Sequence, residues 1–357
     1  MKKRVVSIEL LRILAMMMVV MLHYLDKGDI LPTLTKEMGL NGYVAWGMES
    51  LSAVAVNVYM LISGYFLVES GFKPGRLVEL LCQVLLYTIL VPVVLLAVGI
   101  LEPGYFNVYH ILRDILPVQM EQYWFITAYV IMYLFSPILS TAAKTMTQEQ
   151  LKRTVLALLL FFSVSKTILP VELAIDKAGY DGVWFFCVFL AAAYIRLYGI
   201  PFFEGKKAVL RGFLCYLIGC AGIFCLTFAV RMVYFKTGSL DHFIKIGFDY
   251  NHLLNLFGAV GLFYGFLHLK ISSEGKFAKV IYTLAPYSLG VYLLHEQIEI
   301  RYLWPHWMGA SYSGNVVLLV CRCIFSVLFI YAVGTAVDAV RGYIFRGIRK
   351  IVHKIRK

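Results

Sequence analysis

Residues 6–25 read VSIELLRILAMMMVVMLHYL, an apolar run interrupted by Glu9 and Arg12 and closed by His23 and Tyr24. Twenty residues at 1.5 Å each make a helix of about 30 Å, the thickness of a bilayer's hydrocarbon core. Nine similar runs follow, at about 44–68, 77–101, 123–141, 154–170, 183–200, 209–231, 251–269, 279–298 and 314–337. None alternates as a barrel strand does, and in lipid a backbone must satisfy its own hydrogen bonds, so helices remain. Composition agrees. Hydrophobic residues are 61% of the 357 and charged residues 15%, against roughly 45–50% and 25% in soluble domains. The expected fold is all-α, a polytopic membrane protein of ten transmembrane helices.

The opening Met-Lys-Lys-Arg resembles the start of a signal peptide, but Glu9 and Arg12 interrupt the apolar stretch and no small-residue cleavage site follows. It is expected to be a retained first helix. The net charge of +12 sits in short clusters between apolar runs, which points to membrane topology and away from nucleic acid. With ten spans and the N-terminus in the cytoplasm, 21 of the 33 basic residues fall on the cytoplasmic side, eight fall outside, and Arg12, Lys166, Arg196 and Arg322 stay within spans. One missed helix would invert every later loop, so both termini are expected in the cytoplasm. Residues 1–340 form one membrane domain, and 341–357 a basic cytoplasmic tail, either laid on the anionic leaflet or solvated. The loops at 26–43, 102–122 and 232–250 are too short for another domain.

The seven cysteines all lie in apolar runs, which is no disulfide framework. Cys321 and Cys323 lack a second ligand pair, and the remaining histidines have no ligand-like spacing, so no metal is expected. Ionisable groups within a span are functional candidates. Arg12 and His23 are eleven residues apart, about 20° beyond three full turns and about 16 Å along the axis, so both face one way. Such a pair suits a polar passage with an anion site at one end and a proton acceptor at the other. Snorkelling by Arg12 and an interfacial role for His23 would give the same spacing.

The first helix, with ten residues between Arg12 and His23, resembles the opening motif of the bacterial membrane acyltransferase-3 family. Three further stretches resemble that family's motifs in order: Asn57-Val-Tyr-Met-Leu-Ile-Ser-Gly-Tyr-Phe-Leu67, Tyr123-Trp-Phe-Ile-Thr-Ala-Tyr129 through Ser136-Pro137, and Tyr287-Ser-Leu-Gly-Val-Tyr-Leu-Leu-His295. The resemblance covers essentially the whole chain. It implies transfer of an acyl group, usually acetyl from cytoplasmic acetyl-coenzyme A, to sugar hydroxyls of the cell envelope, by a multi-pass protein of the inner membrane. It makes His23 the catalytic histidine and Arg12 the motif arginine, assigned to holding the donor because guanidinium does not release its proton. Chemistry suits His23, since an imidazole with pKa near ~6.5 can take a hydroxyl's proton; an acyl-histidine intermediate is the alternative.

Where the family often has Arg-x-x-Arg, this chain has Lys73-Pro-Gly-Arg76. The resemblance offers Arg76 for a phosphate of coenzyme A and Lys73 as a point charge; positive-inside anchoring explains both equally well. His295 and Glu296 are expected to orient the acceptor or support the base, with a satisfied helix-end histidine as the plain reading. Trp124 and Tyr123 suit stacking on a sugar, though aromatic belts are the commoner reason for such residues. Glu49 and Glu121 are candidates for hydrogen bonds to sugar hydroxyls or for charge-pairing with His23. Asn57 and Ser63 more often serve interhelical hydrogen bonding. Expected partners are membrane lipid and a lipid-linked or membrane-proximal saccharide, since no extracytoplasmic hydrolase-like domain is present; a homo-oligomer is left open. The rival reading is a flippase using Arg12 and His23 as an ion relay, but no paired halves with broken helices are visible.

Overall fold

A computed structural model describes residues 4–169 and 177–355, with side chains through Gly347. Lys2 and Lys3, and the side chains of Arg349, Lys350, Lys354, Arg356 and Lys357 in the expected tail, lie outside the described residues. Among those described the structure is helical without strands. Helices α1 (Val6–Lys27), α2 (Leu40–Ser52), α3 (Ala55–Ser70), α4 (Pro74–Ala97) and α5 (Val108–Ile115) are followed by α6 (Trp124–Thr145), α7 (Gln148–Leu159) and α8 (Ser165–Ile168). Then come α9 (Gly182–Tyr198), α10 (Ala208–Thr237), α11 (Leu253–His268), α12 (Lys276–Leu284), α13 (Ser288–His295), α14 (Trp304–Trp307) and α15 (Val316–Ile355).

Helix ends follow local chemistry. Thr147 and Gln150 exchange side-chain and backbone hydrogen bonds (2.9 and 3.3 Å) to open α7. The Asp181 carboxylate accepts from the Trp184 amide (2.9 Å) to open α9. Gly199, at φ +71°, ends α9 in a conformation that a side chain would disfavour.

Every expected run is helical, but among the described residues seven helical stretches are long and apolar enough to cross a membrane: Val6–Lys27, Leu40–Ser70 (α2 with α3), Pro74–Ala97, Trp124–Thr145, Ala208–Thr237, Lys276–His295 (α12 with α13) and Val316–Gly347. The other three depart from the expected ten. α9 has 17 residues and α11 has 16, each about 25 Å long. The run at 154–170 is divided, with a five-residue wide turn, Leu160–Val164, between α7 and α8. The reason is visible in the packing. α9 is enclosed by α3, α6 and α7 and is buried along most of its length. A helix within protein need not match the thickness of lipid, because its end groups find protein partners. The run 183–200 also counted Ile200, which follows the Gly199 stop.

α4, α10 and α15 turn most of their surface outward. Their exposed residues include Leu90, Val94, Leu217, Ile218, Phe325 and Leu328. Apolar faces this wide need a bilayer against them; the chain is a multi-pass membrane protein. α1 lies inside, packed on α2, α3, α12, α13 and α15. Two large apolar cores flank it, one around α3, α9 and α11 and one joining α1, α13 and α15. α15 runs without a break through residue 341, where the basic tail was expected to begin. In the 102–122 connection, Arg113 pairs with Asp114 (3.2 Å) and Glu299 (2.8 Å), tying it to the segment after α13. Burial pushes the Asp114 carboxyl above its ordinary range, against the pull of Arg113.

Candidate functional site

A cavity of about 310 Å³ lies along α1. α1 contributes Arg12, Met16, Val19, Leu22 and His23 to its wall, and steps of three and four residues keep a helix's side chains on one face. The other walls come from α3 (Tyr59, Ser63), α4 (Arg76, Leu80), α6 (Trp124, Tyr129) and α13 (Leu289, Tyr292). Arg12 and His23 therefore share one cavity. So does Arg76.

At the Arg12 end the organising group is Glu9, which is buried. Arg4 holds it with two hydrogen bonds (3.0 and 2.7 Å), and Arg12 reaches the same carboxylate at 3.4 Å. Tyr59 donates to the Arg12 carbonyl (2.6 Å), fixing α3 against α1. The Arg12 side chain remains 37% exposed, and among the described residues its one side-chain hydrogen bond is the long one to Glu9, which leaves donors for an anion. Arg76 is exposed at the first turn of α4. Lys73 is not on the cavity wall; it caps α4, and its amide and carbonyl bond the Tyr133 hydroxyl (3.0 and 3.2 Å).

At the His23 end, the α1 histidine meets the end of α13. His23 Nδ1 is 2.9 Å from His295 Nε2 and 3.1 Å from Glu296 Oε2. Glu296 also bonds Lys27 and lies 3.5 Å from Arg301. Lys27 follows His23 by four residues, one turn on along the same face. His295 Nδ1 is 2.6 Å from the Val291 carbonyl oxygen. Both His295 and Glu296 are buried, at 2% and 5% exposure, and both contact His23.

The remaining candidates divide. Trp124 lines the cavity with its ring stacked on Tyr250 (centroids 5.6 Å apart). Tyr123 is buried and donates to the Leu293 carbonyl (2.9 Å), bracing α6 on α13. Ser63 lines the cavity. Asn57 instead joins helices: it donates to Tyr250 O (2.7 Å) and Asn255 Oδ1 (3.1 Å) and accepts from Trp184 Nε1 (2.9 Å). Glu49 and Glu121 are not on the wall. One Glu49 oxygen is buried without a hydrogen-bond partner among the described residues, and Glu121 is exposed in a turn at φ +51°.

The acyltransferase-3 family model, described as an acyltransferase domain, matches residues 5–335. The chain belongs to that family. It matches no curated protein and no solved structure. The match makes it a membrane acyltransferase, and the glycines in two of its motif stretches have structural reasons. Gly64 is where α3 meets α9: a Cβ there would lie 3.0 Å from the Phe189 Cα. Gly290 lets α13 close on Asp338 of α15. Asp338 is fully buried, accepting from Gln83 (3.0 Å), Tyr87 (3.0 Å) and Arg341 (2.7 Å twice). Asp338 falls one residue beyond the last expected apolar run, which ends at 337, so the sequence does not flag it. Along the chain Glu9 reads only as an interruption and Lys27 as a loop charge. The spacing Glu9-x-x-Arg12 and His23-x-x-x-Lys27 was the signal available.

Proposed function

We propose that this acyltransferase moves an acyl group, acetyl by preference, from cytoplasmic acetyl-coenzyme A to a hydroxyl of an extracytoplasmic saccharide that is lipid-linked or close to the membrane. The single observation that carries this reading is the sharing of one cavity by Arg12, Arg76 and His23. The alternation of basic residues supports ten passes in the inner membrane with both ends in the cytoplasm. Arg12 and Arg76 then belong to the cytoplasmic half and His23 to the outer half, about 16 Å further along α1.

In this scheme Arg12 and Arg76, with Lys73 nearby, receive the phosphates of the donor as charge-assisted hydrogen bonds. The acyl thioester extends along the cavity to His23. The acceptor hydroxyl gives its proton to His23 as its oxygen bonds to the thioester carbonyl carbon. The carbon–sulfur bond breaks, and the coenzyme A thiolate takes that proton from His23. The products are the sugar ester and free thiol. A positioned general base contributes roughly 10²–10⁴-fold to such a step.

The test is purified protein in lipid vesicles with radiolabelled acetyl-coenzyme A and a crude envelope glycolipid fraction. Label should pass to the glycolipid, or to water as acetate, and His23→Ala should stop both while folding normally. Product from His23→Ala at the wild-type rate would remove the mechanism. A wild-type protein that neither transfers nor hydrolyses the donor would behave as a flippase and end the reading.

A further inference from the structure

We propose that His295 is a positioning residue: it holds His23 with its hydrogen on Nδ1, leaving Nε2 as the nitrogen that exchanges protons with the substrates. This rests on the general-base reading of His23 and adds which nitrogen works and what fixes it.

A neutral imidazole has one donor and one acceptor nitrogen. His295 Nδ1 lies 2.6 Å from the Val291 carbonyl oxygen. A carbonyl can only accept, so this nitrogen carries the hydrogen and His295 Nε2 is a bare lone pair. That lone pair is 2.9 Å from His23 Nδ1. Two lone pairs at this distance repel, so His23 Nδ1 is the donor. The other near neighbour of that nitrogen, Glu296 Oε2 at 3.1 Å, is a carboxylate oxygen and also accepts. Both partners demand the same hydrogen in the same place.

The alternative, a doubly protonated His295, would put a third cation around a carboxylate already held by Lys27 and Arg301. Water is no substitute for the Val291 contact, because Val291 is fully buried and His295 nearly so. Donation therefore runs one way, from His23 to His295 to the α13 backbone. This is how a neighbour can select a histidine's tautomer without touching the substrate. The packing enforces it: His295 sits at the last turn of α13, where Val291 is four residues earlier and its carbonyl lies in the same turn.

The experiment is solid-state ¹⁵N spectroscopy of the full chain, labelled at histidine and reconstituted in phospholipid vesicles, with a His23→Asn sample identifying the His23 signals by difference. A protonated Nδ1 and bare Nε2 at neutral His23 are expected; a hydrogen on Nε2 would overturn the proposal. In parallel, His295→Leu should lower kcat for coenzyme A release from acetyl-coenzyme A about 10–100-fold, the usual loss for an orienting partner, with KM for the donor unchanged. His295→Gln, whose amide oxygen can accept in place of Nε2, should recover most of it. Wild-type kcat in folded His295→Leu would also overturn the proposal. The tautomer is read without turnover, so a failure of the proposed function in the His23→Ala assay is distinguishable from a failure here.

Discussion

Where α10 meets α11, glycines face glycines; where α1 meets α13, imidazoles and charges meet. A Cβ added at Gly219 would lie 2.7 Å from the Gly258 Cα, and one at Gly261 would lie 2.7 Å from the Cys215 Cβ. The α10–α11 pair is accordingly the most extensively packed in the molecule. Lipid tails are as apolar as leucine, so burying leucine between helices gains little; close backbone approach through small residues gains dispersion contacts instead. The α1–α13 contact has the opposite character. Glu296, Lys27 and the His23–His295 pair are withdrawn from water there, and buried charge is costly unless fully partnered. An interface that keeps such groups although glycine packing is available is where the proposed mechanism puts the proton transfer.

The contrast can be broken from either side. Lys27→Met removes the closest partner of Glu296 and leaves a buried carboxylate with Arg301 as its remaining cation, beside the His23 imidazole. A loss of about 3 kcal/mol is expected, read as a lower unfolding midpoint in detergent, with turnover falling as well. Unchanged stability would mean that charge does not hold α1 to α13. Gly219→Leu should cost about 1–3 kcal/mol by overpacking, while kcat per folded molecule stays near wild type because α10 is absent from the cavity wall. A selective loss of kcat would show that the glycine interface is coupled to the site. Arg12→Ala removes one charge-assisted contact to the donor, worth about 1.5 kcal/mol or more. It should raise KM for acetyl-coenzyme A by tenfold or so, leaving acceptor dependence alone; equal donor affinity in the variant would detach Arg12 from the donor. Smallest of all, Glu121→Ala should alter stability by less than about 0.5 kcal/mol and leave activity unchanged, since Glu121 is exposed and off the wall. A marked fall in acceptor use would restore it as a sugar contact.

Much of this was legible in residue order. Hydropathy located the long apolar helices, though not the short α5 and α14, and the rotation of Arg12 onto the face of His23 needed only the helical repeat, because it follows from backbone geometry within one segment. Span length was less legible: α9 and α11 are shortened because protein surrounds them, which an apolar count does not register. The partners of His23 were half legible. His295 and Glu296 stand out in the sequence, but the choice between orienting the acceptor and supporting the base stays open there, since nothing along the chain says that the end of α13 lies against the end of α1. Glu9 and Asp338 went unread for a similar reason: a carboxylate within an apolar stretch looks like an interruption until its cations, Arg4 and Arg12 or Arg341, are seen around it.

The sequence by itself determined that the chain is a helical membrane protein of the acyltransferase-3 kind, with a cation and an imidazole aligned on its first helix, because composition, periodicity and motif order are properties of the chain. Only the tertiary structure decided that those two side chains share one cavity and that the histidine is gripped by His295 and Glu296. Those contacts join residues more than 270 positions apart, and helix packing in three dimensions brings them together.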